Sequence, residues 1–140
     1  MAGEMRRQIE AAALGPPEKA ASLADFLKSP EVWRRRYTLS EDFVGFQGHF
    51  EGHPVLPALA QVFAAQNLVQ ALNYGPVTLE AITQAKFLSL VRPGHLLSAY
   101  ASIPEDGGEW RVHLTSAAEG QPEVDAAFLR LKFKEGGHGL

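Results

Sequence analysis

The sequence predicts an α+β domain in which an antiparallel β-sheet wraps around one long central helix. From Gly52 to Leu79 the chain contains no Asp, Glu, Lys or Arg, which is typical of a helix that is buried on nearly all sides. From about residue 77 onward, apolar residues recur with period two, which is typical of strands with one buried face. Because strands are predicted on both sides of a single long helix, a sheet packed around that helix is the expected arrangement.

The segment before the central helix is predicted from local patterns. Residues 3–14 and about 17–28 are expected to form two short helices separated by Gly15-Pro16-Pro17. They would form a helical extension over residues 1–30, and the sequence does not indicate its role. Residues 33–39 alternate as a half-buried strand does, and residues 42–46 are expected to be extended.

The central helix and the strands after it are more strongly patterned. Pro57 suits a first helical turn, and the helix is expected to run to about Leu72, before Gly75-Pro76. Four strands are predicted after it, over residues 77–90, 96–103, 110–116 and 124–133. The main domain is therefore expected over residues 31–135, followed by a flexible tail at 136–140.

Composition excludes several classes of function. The chain has 140 residues, of which 46% are hydrophobic and 21% are charged. This length and this composition are typical of a single globular domain. Its net charge of −3 gives no general electrostatic attraction to nucleic acid or to an anionic membrane. It has no cysteine, which removes disulfides, thiolate catalysis and cysteine-bound metals.

Membrane insertion and export are not expected. The uncharged segment is broken by Pro54, Pro57 and Gly75-Pro76 and is interrupted by polar amides, so it is too short and too polar to span a bilayer. The N-terminal residues lack the apolar core of a signal peptide. The sequence therefore predicts a cytoplasmic protein.

The residues with the clearest chemical meaning precede the central helix. Gly48-His49-Phe50 is followed by Pro54-Val55-Leu56-Pro57. This spacing puts an imidazole one short loop before a helix N-terminus, where aligned N–H groups stabilise negative charge. A base beside such a helix end suits proton abstraction next to a carbonyl group.

These two motifs resemble the active-site segment of the 3-hydroxyacyl-[acyl carrier protein] dehydratases, which have the hotdog fold. That family's pattern is Gly-His-Phe-Pro, then Pro-Val-x-Pro-Gly, then a helix that carries a carboxylate. Two later segments are also similar to the family. The family's Arg/Lys-Phe segment matches Ala85-Lys86-Phe87, and its Pro-Gly-Asp segment matches Val91-Arg92-Pro93-Gly94. The resemblance covers about residues 33–134 and implies a hotdog fold.

The chain departs from the family pattern at three positions. Glu51 stands where the family has proline, and Ala58 stands where it has glycine. Phe63 stands where it has the catalytic Glu or Asp.

The resemblance implies roles for individual residues. His49 matches the general base, since an imidazole can exchange protons near neutral pH. Ala58 matches the residue whose backbone N–H stabilises the thioester oxygen, and a backbone donor does not depend on the side chain. The substrate is expected to contact Phe50, His53, Pro57, Phe63 and Gln66.

Phe63 leaves four alternatives open, because phenylalanine cannot transfer a proton. Another group, such as His53, Glu51, Gln66 through a water, or a residue of a partner chain, would protonate the leaving hydroxyl. Otherwise the chain dehydrates slowly with His49 alone, catalyses a reaction that needs only proton abstraction, or binds an acyl thioester without turnover.

Partners are also implied by the resemblance. The substrate would be an acyl thioester on an acidic acyl carrier protein or on CoA, and a carrier is expected to dock on Arg34, Arg36, Lys86 and Arg92. The family pairs its sheets edge to edge, which implies a homodimer or a higher homo-oligomer. No cofactor is implied. No metal site is expected either, because the sequence shows no cluster of further metal ligands to complete a site with His49 and His53.

The function predicted from the sequence is a dehydratase-like hydro-lyase of fatty-acid or polyketide-type metabolism that acts on 3-hydroxyacyl thioesters. The first alternative is a non-catalytic acyl-thioester binding protein, or a heterodimer subunit whose partner supplies the missing acid. The second alternative is a thioesterase or an enoyl isomerase.

Overall fold

The computed structural model of the protein describes residues 2–46, 54–73 and 75–136. Within these ranges, two α-helices and six strands make up the fold. The helices are α1 (Ala2–Ala11) and α2 (Ala58–Asn73). The strands are β1 (Glu18–Ala20), β2 (Val32–Thr38), β3 (Val77–Phe87), β4 (Leu96–Ala101), β5 (Trp110–Ala117) and β6 (Val124–Glu135).

The six strands form one antiparallel sheet in the order β1-β2-β4-β5-β6-β3. One face of the sheet packs against α2 and forms the main hydrophobic core with it, through side chains such as Leu97, Leu114 and Leu129. This arrangement confirms the predicted α+β fold with a sheet around a central helix.

Helix α2 lies where the uncharged segment predicts it. The Pro57 carbonyl accepts hydrogen bonds from the N–H groups of Ala60 and Gln61, so Pro57 is the cap residue of the first turn and the helix proper begins at Ala58. The helix ends at Asn73, just before Gly75, whose N–H donates to the Gln70 carbonyl. Within the residues that the structure describes, no helix is long and apolar enough to cross a membrane.

The prediction of a second helix at residues 17–28 is wrong. Residues 18–20 form an edge strand paired with β2, and only residues 25–27 form a short 3₁₀ turn. Of the apolar residues that suggested a helix, Leu23 is exposed, whereas Leu27 packs with Val32 and Tyr100. The segment therefore covers the sheet face opposite α2, and this tertiary packing overrides the local helical pattern.

Two further differences concern the segments next to α2. Residues 44–46 form a buried 3₁₀ turn, so the extended conformation predicted for residues 42–46 is wrong. Helix α1 packs on α2 through Met5 and Ile9, and the Gln8 side-chain oxygen accepts a hydrogen bond from the Val44 N–H. Within the predicted N-terminal extension, α1 thus packs on α2 and β1 pairs with β2. The proposed tail at 136–140 lies outside the described residues except for Gly136.

Because Leu27 is buried on the outer sheet face, we expect Leu27→Ala to lower the free energy of unfolding by about 2 kcal/mol or more. Leu23→Ala is the matched control in the same segment. Its side chain is exposed, so its effect should stay within about 0.5 kcal/mol. Urea unfolding of the three proteins measures both values. Equal effects of the two variants would contradict the packing of this segment on the sheet.

Candidate functional site

The N-terminal end of α2 is held next to the loop that precedes β4. The Leu56 N–H donates to the Val91 carbonyl over 2.7 Å, which fixes the segment that leads into the helix. Ala58, the first helical residue, is exposed. Its N–H points along the helix axis away from the first turn, as do all N–H groups at a helix start. This end of α2 can therefore present a backbone donor to a bound anion or carbonyl.

Three predicted site residues, His49, Phe50 and His53, lie outside the described residues, as does Glu51. Their predicted roles stay predictions. Of the other predicted site residues, Pro57 and Ala58 lie at the start of α2, while Phe63 and Gln66 lie in its first half and middle.

Phe63 is buried, with 2% of its surface exposed. The guanidinium carbon of Arg6 on α1 lies 4.6 Å from the centroid of its ring, within the range of a cation–π contact. Helix α1 therefore covers the position at which the resemblance to the dehydratases implies a carboxylate. Phe63, Gln66, Asn67 and Arg6 line a cavity of about 110 Å³ between the two helices.

Asn67 is held by two donors on β2. Its Oδ1 accepts from the Tyr37 hydroxyl over 2.6 Å and from the Arg35 guanidinium over 2.9 Å. Burial raises the pKa of Tyr37 well above its ordinary value, against the opposing effect of the Arg35 charge, so the hydroxyl remains protonated and donates. An arginine has no acceptor, so the Asn67 atom that faces it must be the oxygen.

Gln66 and Gln70 lie one turn apart and bind the start of β3. The Gln66 Nε2 donates to the Val77 carbonyl over 3.0 Å, and the Val77 N–H donates to the Gln70 Oε1 over 3.3 Å. Gln66 is 5% exposed, and its Oε1 has no hydrogen-bond partner within the described part of the chain. Burying an amide oxygen without a hydrogen-bond partner costs free energy. Gln66 is therefore a position at which the fold tolerates an unfavourable polar group.

The four cations predicted to dock a carrier do not form one surface. Arg34 and Arg36 both lie within ion-pair distance of Glu18 on β1, at 2.6 and 3.3 Å. The hydrogen bond from Arg34 lowers the pKa of the Glu18 carboxyl, so the pair stays charged. Lys86 is exposed on β3, at the opposite side of the sheet from β2. Arg92 is exposed and follows Val91, next to the start of α2.

A second polar cluster lies on the sheet face opposite α2. His113 is fully buried, its Nε2 lies 2.8 Å from the Asp125 Oδ1, and its ring stacks on Phe128. The Tyr100 hydroxyl donates to Glu123. These contacts stabilise the sheet. No group of three or more His, Asp or Glu suited to a metal occurs among residues 2–46, 54–73 and 75–136.

Comparison with known proteins identifies the family. Residues 28–125, well over half of the chain, match the sequence profile of the ApeI-like family, described as ApeI dehydratase. The chain is 41% identical over 102 residues to a 3-hydroxyacyl-[acyl-carrier-protein] dehydratase FabZ of Levilactobacillus brevis, covering 68% of each chain. It is 34% identical over 106 residues to the FabZ of Pediococcus pentosaceus, covering 70% of this chain and 69% of that protein.

Several solved structures with the same fold are dehydratases. The dehydratase heterocomplex ApeI:P from Xenorhabdus doucetiae matches with a TM-score of 0.59 and 19% identity, over 86% of this chain and 100% of the other. The dehydratase domain from the CurF module of curacin polyketide synthase matches with a TM-score of 0.60 and 14% identity, over 89% of this chain and 45% of the other. The predicted resemblance and the dehydratase-like character are thus confirmed. The chain belongs to the ApeI-like dehydratase family and has its hotdog fold.

Proposed function

We propose that this protein dehydrates 3-hydroxyacyl thioesters, with His49 as the general base and the Ala58 N–H as the donor to the thioester oxygen. The observation that carries the proposal is the family match over residues 28–125, which includes both Gly48-His49-Phe50 and the start of α2. The relatives named FabZ are dehydratases of 3-hydroxyacyl groups on acyl carrier protein.

In the proposed reaction the His49 imidazole takes the proton from C2 of the substrate. The electron pair forms the C2–C3 double bond as the C3–O bond breaks, and the leaving hydroxyl receives a proton and departs as water. Because Phe63 carries no proton, the imidazolium returns the same proton to the hydroxyl. The Ala58 N–H stabilises the negative charge that builds on the thioester oxygen.

The exposed edge of the sheet supports a dimer. Strand β3 is an outer strand of 11 residues with exposed Ile82 and Phe87 side chains. A long edge strand that exposes apolar side chains is a ready partner for another strand. We propose that β3 pairs with β3 of a second copy, so that the two sheets become continuous.

The location of the exposed cations favours one side for carrier docking. Arg92 lies beside the start of α2, whereas Glu18 offsets the charges of Arg34 and Arg36. A carrier protein that delivers its acyl arm to Ala58 would meet Arg92 first. We therefore propose that acyl carrier protein docks at Arg92, with Lys86 contributing from β3, and that Arg34 and Arg36 have a smaller role.

A second candidate is a subunit of a heterodimer. Phe63 favours it, because this chain supplies no carboxylate at the acid position, and ApeI:P of Xenorhabdus doucetiae is a dehydratase heterocomplex. In such an assembly this chain would contribute His49, and the partner would contribute the acid. A thioesterase is less well supported, since an activated water usually also needs a carboxylate at the helix.

Product analysis separates these functions. Purified protein is incubated with 3-hydroxybutanoyl thioester, and the products are resolved by chromatography. We expect crotonyl thioester and water at a rate proportional to the protein concentration. Free acid would instead identify a thioesterase, and a shifted double bond in added enoyl thioester would identify an isomerase. No product from a folded protein would contradict a self-sufficient dehydratase and favour the heterodimer subunit.

A further inference from the structure

A cavity of about 400 Å³ lies at the C-terminal end of α2, between that helix, β2 and the loop after β4. Its volume is within the range of small-molecule sites, about 300–1,000 Å³. Leu72 on its wall is separated from Ala58 by about 21 Å along the helix, at 1.5 Å per residue, so this cavity is separate from the proposed catalytic site. The wall is mostly apolar and is formed by Pro16, Pro17, Trp33, Ala71, Leu72 and Ile103.

Within the described part of the chain, Arg35 is the only charged residue that lines this cavity. Its Nε donates to the Gly15 carbonyl over 3.0 Å, and its Nη1 donates to the Asn67 Oδ1 over 2.9 Å. Because Gly15 directly precedes Pro16, the first bond holds the guanidinium beside the proline wall of the cavity. A guanidinium has five N–H donors, so donors remain for a ligand after these two bonds.

The charge of Arg35 is not neutralised by a carboxylate. Its neighbours Arg34 and Arg36 point to the opposite side of β2 and lie within ion-pair distance of Glu18. Among the described residues, no acidic group lies at that distance from Arg35, and its two acceptors are neutral oxygens. The carbonyl end of α2 adds only about half a negative charge. A partly buried guanidinium with so little compensation favours the binding of an anion.

We propose that this cavity binds an aliphatic carboxylate, the anion of a medium-chain fatty acid, with the carboxylate on Arg35 and the chain against Trp33 and Leu72. A carboxylate matches the planar fork of a guanidinium, and an aliphatic chain is stabilised when it covers an apolar wall. An inorganic anion would leave that wall exposed to water, and a neutral lipid would leave Arg35 without a counter-charge. The site does not depend on the proposed dehydration, so its test needs no turnover.

Calorimetry with three small molecules tests the two parts of the site separately. Octanoate carries both the anion and the chain, octan-1-ol keeps the chain without the charge, and acetate keeps the charge without the chain. We expect wild-type protein to bind octanoate at least about tenfold more tightly than either of the other two, because a hydrogen bond to a charged group and burial of the chain each add to the affinity.

Arg35→Gln removes the charge and keeps an amide that can donate to the Gly15 carbonyl. We expect this variant to lose the preference for octanoate over octan-1-ol. Arg36→Gln is the matched control, because Arg36 lies on the same strand but on the opposite side, near Glu18. Its dissociation constants should stay at the wild-type values.

Ile103→Glu is a second variant, which does not depend on the fold tolerating a change at Arg35. Ile103 is 53% exposed and lines the cavity, so a carboxylate there should repel octanoate and weaken its binding severalfold. Ile103→Gln has the same shape without the charge and should weaken the binding less.

Three results would overturn the proposed site. The first is no binding of octanoate to folded wild-type protein. The second is equal binding of octanoate and octan-1-ol, which would mean that the cavity recognises only the chain. The third is an unchanged octanoate dissociation constant in both folded Arg35→Gln and folded Ile103→Glu, which would place the bound octanoate elsewhere on the protein.

Discussion

Phe63→Glu is expected to raise the dehydration rate about 100-fold, because a single general acid typically contributes about 10²–10⁴-fold. Position 63 is where the related dehydratases carry their carboxylate, and in this chain it lies on the wall of a polar cavity. Burying a new carboxylate is normally costly. Here the Arg6 guanidinium lies over the ring that would be replaced, so the charge of a glutamate would be partly offset.

Phe63→Gln separates proton transfer from the removal of the ring. Glutamine has the shape of glutamate but no proton to transfer, so its rate should stay within a few-fold of wild type. Steady-state rates with 3-hydroxybutanoyl thioester, together with circular dichroism to confirm folding, give the comparison. Equal gains in both variants would show that relief of bulk, not acid catalysis, is responsible. No gain in a folded Phe63→Glu protein would mean that the missing acid does not limit this chain.

Most of the fold could be predicted because its elements have strong internal patterns. The uncharged residues before Gly75-Pro76 indicate α2, and β6 alternates Leu129 and Leu131 with Arg130 and Lys132. The segment at 18–27 could not be predicted in the same way. Its conformation depends on pairing with β2 and on burial of Leu27 against Tyr100, and neither partner is local in sequence.

The site could be predicted only where a motif carries it. Ala58 and Phe63 follow from their spacing after His49, but Arg6 could not be assigned because nothing in residues 3–14 indicates that α1 packs on α2. In the sequence Asn67 is one of the polar amides that interrupt the uncharged segment, and no local pattern indicates its partners. Its contacts with Arg35 and Tyr37 depend on the sheet curving around α2, and they are what reveal its orientation.

His49→Ala is expected to lower the dehydration rate about 10²–10⁴-fold, since it removes the only base that the proposed reaction uses. The effect should be on kcat more than on KM, because the imidazole acts on the C2 proton in the transition state. His138→Ala removes an imidazole outside the region that resembles the dehydratases, so it serves as the matched control and should keep the wild-type rate.

The central claim is that this chain removes a C2 proton with His49 and needs no carboxylate at position 63. The most direct test is the hydration of crotonyl thioester by purified wild type, His49→Ala and His138→Ala, measured side by side by the loss of enoyl absorbance. The account predicts activity above the buffer blank that disappears only in His49→Ala. Equal activity in all three proteins, or none above the blank in folded wild type, would contradict it.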